Sequence, residues 1–295
     1  MTPDSPRLVR TMLVGWVSQP EMESSPYLTD SDGRAFVPVG CQGVRYNVRV
    51  GMPAFGWEAD RVQPGASVAH PDAAANRALS LFACVGNRVA VRSGAAAGAV
   101  GVVTGKHEEF QRFQEVLVDL PAVGLELLAP GDQVAIEAVG RGFRPCPSPA
   151  VTAHSLGPEL WAAWGPRPRG DGLEVPVSLE LPPEAVGMGA GRVAAATSWE
   201  LQTPPSLLEA IPGLAQVRLG DLVAVRDWDA AYVSGYRPGS VVVGVVCHGS
   251  SRLPGHGLGL TVLLSGREGR LSLALDHGAN LADLLSLGTK ERGSG

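Results

Sequence analysis

Residues 241–247, VVVGVVC, constrain this chain more than any other stretch. A run so short and so rich in β-branched residues predicts a strand buried on both faces. It breaks into His248-Gly249-Ser250-Ser251, passes Pro254, and continues as Gly255-His256-Gly257-Leu258-Gly259. A second apolar run, 261–264, returns the chain to the sheet. Two imidazoles and two hydroxyls are therefore expected on a loop between core strands, where a rigid scaffold usually displays chemistry. The glycines remove bulk, so backbone N–H groups can approach a ligand.

The remaining pattern is one of short strands. The chain has 295 residues with 38 Gly and 24 Pro, which favours strands and tight turns over long helices. The expected fold class is α+β and predominantly β, with two β-rich lobes and few short helices. The lobes are expected at 1–165 and 166–295, with 165–172, GPRPRGDG, as the linker. Residues 9–17 read as a strand, and 35–52 as a half-buried strand that alternates from Val44 to Val50, with Asn47 on a polar face that could line a pocket. Residues 71–85 read as a helix capped by Asp72. The strand–turn–strand pattern RVAVRS-GAAAG-AVGVVTG resembles the KOW-type hairpin of SH3-like barrels, which suggests a small barrel unit over about 82–140. Residues 173–181 read as one alternating strand, 227–229 as an acidic loop with an aromatic wall, 280–287 as a helix capped by Asn280, and the tail from 288 as disordered.

Charge limits the partners. The net charge is −5 with no Lys/Arg block, and the hairpin carries only Arg88, Arg92 and Lys106, so nucleic acid is not an expected partner. No apolar stretch approaches a membrane span or a signal-peptide core, and the four cysteines are scattered without a CxxC pair. Free thiols and a cytoplasmic location are expected. The expected partner is a small-molecule substrate, with no membrane and with association into a homo-oligomer left open. Gly187, Gly189 and Gly191 do not complete a dinucleotide fingerprint, so no nucleotide cofactor is expected; a divalent metal is left open.

The successive segments GVRYNVRVG, VQPGAS, ACVGN, SGAAAGAVGVVTGKH and PGDQVAIEAVGRG, then WELQT, LGDLVAV, PGSVVVGVVCHGSSRLPGHGLGL and HGANL, resemble the family called domain of unknown function 4438. The resemblance runs over roughly residues 10–285. It implies no activity, but it shows where this chain departs. The family pattern Asp-His-Val-Glu-Pro-Gly corresponds here to Asp60-Arg61-Val62-Gln63-Pro64-Gly65. Gly-Lys-His-Gly-Gly corresponds to Gly105-Lys106-His107-Glu108-Glu109, and His-Ser-Asp-Ser to His248-Gly249-Ser250-Ser251. Gly-Asp-Tyr-Asp-Ile corresponds to Thr197-Ser198-Trp199-Glu200-Leu201. Several acidic or imidazole positions have thus been replaced, which suggests a member adapted to one specialised substrate, or one that has lost a metal. The order of an acidic motif and a Gly-His-Gly loop is also loosely similar to acetamidase/formamidase proteins.

The expected reactive groups are His248, His256, Glu200 and Asp229, acting as acids and bases in a cleft between the lobes. His107, Lys106, Asn47, Ser250, Gly255 and Gly257 are the expected substrate contacts. The expected activity is small-molecule tailoring by a lyase, a cyclase or an amide-type hydrolase. A non-catalytic binding protein of the same fold is the alternative. Cys247 adjoins His248, but strand alternation turns neighbours to opposite faces, so a buried core thiol is expected rather than a nucleophile.

Overall fold

Alternating valines close the first half of the chain on itself. A computed structural model describes residues 8–21, 26–109, 113–190, 193–232 and 234–287. Six antiparallel strands come first: β1 (Thr11–Val17), β2 (Gly65–Ala69), β3 (Arg88–Val91), β4 (Val100–Glu109), β5 (Phe113–Asp119) and β6 (Gln133–Ala138). They lie in the order β1-β6-β3-β4-β5-β2, and β2 pairs back onto β1 through Trp16–Ala69 and Val17–Val68. The result is a closed barrel with no free edge. Val17, Val68, Val89, Val103, Val116, Val118, Val134 and Ile136 fill its interior. The expected hairpin is β3–β4, but the barrel is not confined to 82–140, because β1 and β2 supply two of its staves. A strand pair cannot bury both faces alone, and here closure requires the earlier segments.

The helix α1 (Ala73–Phe82) packs on the barrel, and the Asp72 carboxylate accepts the Ala75 N–H at 2.8 Å as its N-cap. The expected strand at 35–52 is reduced to two short pieces, Ala35–Phe36 and Val44–Arg45. Beyond them the chain turns, leaving Tyr46 and Asn47 exposed while Val48 and Val50 are buried.

The second sheet contains β7 (Val151–Ala153), β8 (Leu179–Leu181), β9 (Ser198–Gln202), β10 (Leu222–Asp229), β11 (Gly235–His248) and β12 (Gly257–Gly266). Its order is β7-β12-β11-β10-β8, with β9 also pairing along β12. The two runs that frame the glycine-histidine loop are β11 and β12, as expected. Val241, Val243 and Val245 join one core and Val242 and Val246 join another, so both faces of β11 are buried. The 165–172 segment is no linker. Arg167–Arg169 and Gly172–Val177 form a hairpin, and the latter pairs in parallel with Leu271–Leu275. The expected single strand at 173–181 is broken at Ser178, so its two halves serve different sheets. The residues from 288 onward lie outside those described. Among the described residues, no helix is long and apolar enough to cross a membrane.

The barrel and the second sheet meet at β4. The Thr261 hydroxyl accepts the Lys106 N–H at 2.9 Å and donates to the Lys106 carbonyl at 3.1 Å. The Cys247 thiol donates to the same carbonyl at 3.3 Å. Close approach depends on Gly105, where an added Cβ would lie 2.5 Å from the Cys247 Cβ. Gly105→Val is therefore expected to destabilise the protein by roughly 1–3 kcal/mol through overpacking. Urea unfolding of the purified variant checks this, and an unchanged midpoint would contradict the tight crossing.

Candidate functional site

Strand alternation at the β4 crossing separates Lys106 from His107. His107 turns toward the middle of β9 and the end of β11, where its ring lies 4.5 Å from that of His248 at an interplanar angle of 67°. His248 ends β11 opposite Gly259 on β12. The missing side chain at Gly259 makes room for the imidazole, because a Cβ there would fall 2.1 Å from His248 Cδ2. Glu200 on β9 is also brought opposite Gly259 by β9–β12 pairing. One ligand atom from each of His107, Glu200 and His248 lies within 4.8 Å of the others.

The protons in this cluster follow from its hydrogen bonds. His248 Nδ1 is 2.9 Å from the Gly249 carbonyl, which can only accept, so Nδ1 carries a hydrogen. His248 Nε2 is 3.1 Å from Glu200 Oε1. The other carboxylate oxygen accepts the Gly257 N–H at 3.2 Å. With Nδ1 already donating, the Nε2–Oε1 contact needs one proton between the two atoms, and the raised His248 and lowered Glu200 favour placing it on the imidazole. Burial opposes charge on both groups. Even so, the Glu200 carboxylate holds His248 above its ordinary pKa, and His248, then His256 and Arg61, hold Glu200 below its own. His256 is 4.0 Å from the same Glu200 oxygen and is lowered, first by its partial burial.

Behind His107 is a buried polar chain. The Gln63 amide nitrogen is 2.8 Å from His107 Nδ1 and 3.2 Å from Glu115 Oε2. Burial pushes His107 well below its ordinary pKa, and the neighbouring positive charges of His248 and Arg61 add to the shift. Arg61 is 2% exposed, and its Nε donates to Asp60 at 2.9 Å. Asp60 in turn accepts the Ser251 hydroxyl at 3.0 Å and the Arg252 N–H at 2.7 Å, which tethers the 249–256 loop.

Of the residues expected from sequence, His107, Glu200, His248 and, at the rim, His256 converge, and Gly257 joins them through its N–H. Ser250 holds the loop through its backbone, to Ala54 and Arg61. Gly255 is exposed, with its carbonyl accepting the Met188 N–H at 3.1 Å. Three expectations fail. Asp229 bonds Arg267 Nε at 2.8 Å and sits opposite Gly235, at the far end of β11 from His248. A strand of 14 residues rising about 3.3 Å each separates those ends by roughly 40 Å. Its neighbour Trp228 packs on Trp199 in the core instead of walling a cleft. Lys106 points away from His107, fully buried, with Nζ 2.5 Å from the Ala195 carbonyl. It is therefore lost to any basic surface as well. Asn47 is exposed on its turn. Cys247 is a core thiol whose pKa burial raises to about 12. The site residues not singled out as reactive are Asp60, Arg61, Gln63 and Glu115. The signal for two of them was the departure from the family pattern at positions 61 and 63.

The comparisons with known proteins can be placed against this geometry. The family described as Domain of unknown function (DUF4438), N-terminal, matches residues 27–162, and its C-terminal counterpart matches residues 166–285. The chain belongs to the DUF4438 family. The solved "Crystal structure of TM1086" is similar at 35% identity and a TM-score of 0.89, over 96% of this chain and 98% of that one. No curated protein matches the chain. In this DUF4438 member the donor types of His107, Glu200 and His248 are those that hold divalent ions.

Two predictions follow from the site. Gly259→Ala should displace the His248 ring and destabilise the fold by roughly 1–3 kcal/mol; a melting temperature equal to the parent's would refute the steric account. The second concerns acid. His154, buried against Ser265, is lowered from 6.5 to about 4, first by burial. A depressed histidine stabilises the fold above its unfolded pKa and loses that contribution as pH falls through the folded value. Glu200, also depressed, acts in the same direction, whereas raised His248 contributes at low pH and loses its contribution as pH rises. Urea unfolding from pH 6.5 down to 4 should thus cost the parent about 3 kcal/mol through His154 alone. His154→Gln should flatten that limb, and an identical slope would remove His154 as its cause.

Proposed function

We propose that this chain is a small-molecule enzyme working by proton transfer between histidine and carboxylate where the barrel meets the second sheet. The reading rests on one observation. His248 Nδ1 is committed to the Gly249 carbonyl, so its Nε2 shares one proton with Glu200, 4.5 Å ring to ring from His107. A proton stored on a buried pair is available to a substrate atom that enters the cluster, and the pair can take it back. The 0%, 1% and 6% exposures of His248, His107 and Glu200 support chemistry screened from water. A hollow of about 520 Å³ is lined by Trp16, His70, Asn76, Arg77 and Glu115, and Glu115 connects through Gln63 to His107. That hollow supports small-molecule access from the barrel side.

The reaction class we assign is lyase, cyclase or amide-type hydrolase in specialised-metabolite tailoring, supported by the altered family positions at 61, 63 and 200. A cytoplasmic setting is supported by four free cysteines. The same near-total burial also favours a second reading, a protein that binds a small ligand without turning it over.

The test uses simple amides and small hydroxy acids as probes, with thermal shift reporting binding and mass spectrometry reporting turnover. The parent should convert at least one class, and His248→Gln or Glu200→Gln should slow it by at least ~100-fold. A His248→Gln, His256→Gln double variant that turns over at the parental rate would sink the enzyme reading. A thermal shift without product supports the binder.

A further inference from the structure

Gln63 is 2% exposed, and the direction of its amide is fixed twice over. Its Oε1 accepts the Gln42 N–H at 2.8 Å. Its Nε2 donates to Glu115 Oε2 at 3.2 Å. Reversing the amide would set two N–H groups against each other at Gln42 and two oxygens against each other at Glu115, so both contacts demand the same orientation. The second amide hydrogen then meets His107 Nδ1 at 2.8 Å. That nitrogen must accept. A neutral imidazole whose Nδ1 accepts carries its hydrogen on Nε2. An imidazolium, with hydrogens on both nitrogens, would press an Nδ1–H against the same amide N–H, so this contact also requires a neutral ring.

We infer that Gln63 is a positioning residue that fixes His107 as the Nε2–H tautomer, so that the cluster receives an acceptor atom of the substrate, a carbonyl or carboxylate oxygen, in preference to a divalent cation. The substrate class rests on the proposed function; the tautomer does not. A metal needs a lone pair on the ligating nitrogen. Ligating histidines obtain it by giving their other N–H to a carboxylate, a carbonyl or water. His248 meets that requirement through Gly249. His107 does not, because it faces a donor. Coordination through Nε2 would first require a hydrogen on Nδ1, pressed against the Gln63 amide N–H. A divalent ion would also add positive charge to a region that already holds the buried Arg61, whose Nε donates to Asp60 at 2.9 Å. A substrate oxygen suffers neither cost. It accepts from Nε2–H with no change of tautomer.

The experiment reads the tautomer directly. The full chain is labelled with 15N-histidine and long-range 1H–15N correlations are recorded at pH 7.5, with His107 assigned by the loss of its signals in His107→Asn. The parent should show a neutral His107 with its hydrogen on Nε2. In Gln63→Glu the carboxylate should draw that hydrogen to Nδ1, and zinc chloride titrated by calorimetry should bind at least ~10-fold more tightly than to the parent. A parental His107 with its hydrogen on Nδ1 would overturn the inference, as would zinc binding to the parent as tight as to Gln63→Glu. If Gln63→Glu does not fold, the parental spectrum and parental zinc titration decide alone. Failure of the proposed function reads out separately, as turnover that survives His248→Gln with the His107 tautomer as stated.

Discussion

The clasp between the Thr261 hydroxyl and the main chain of Lys106 is what the site depends on. One oxygen satisfies both a buried N–H and a buried carbonyl, so neither polar group is orphaned where two sheets of different curvature touch. Such a contact tolerates little displacement, because hydrogen bonds weaken steeply with distance and angle. Gly105 beside it permits the approach, and Cys247 closes the crossing from the other side. With β4 pinned at Lys106, alternation delivers His107 to the middle of β9 and the end of β11. The three clustered side chains are therefore positioned by main-chain geometry, which is more rigid than a loop.

Burial then sets the electrostatics. An isolated ion at this depth would be costly, and the structure meets that cost by pairing. Glu200 carries bonds from His248 and from the Gly257 N–H, while Asp60 gathers Arg61, Ser251 and the backbone of Arg252. The two carboxylates divide the work. Glu200 pairs with His248, and Asp60 ties the glycine-histidine loop to the barrel side through contacts separated by about 190 residues in sequence. The histidines diverge for the same reason. His248 lies against a carboxylate that outweighs its burial and is raised, whereas His107, lowered first by burial, has the charges of His248 and Arg61 adding to that shift.

Much of this was legible in the sequence. The apolar run at 241–247 read as a strand covered on both faces, as it is, and the glycines at 257 and 259, read as room for a ligand, instead admit the Leu201 carbonyl and the His248 ring. The hairpin, the Asp72 and Asn280 caps and the core nature of Cys247 were read from local rules that tertiary context did not override. The failures have a common cause. Asp229 and Lys106 were chosen for residue type near a motif, but one is a strand length away and the other faces the opposite side. Within 35–52, alternation suggested a strand, yet the next segments pull the chain into a turn. The glycine- and proline-rich 165–172 stretch read as a linker because composition does not tell a free turn from one clamped by a third strand.

By itself, the sequence determined local periodicity: which segments are strands, where glycine must admit a neighbour, which thiols stay in the core, and that His248 and His256 share one loop. Those properties follow from side-chain size and alternation over a few residues. Only the tertiary structure decided that His107 meets Glu200 and His248, that Gln63 governs the hydrogen on His107, and that Arg61 is buried beside them. These depend on sheet register and barrel closure across segments far apart in the chain, where a shift of one residue would turn every one of those side chains to the opposite face.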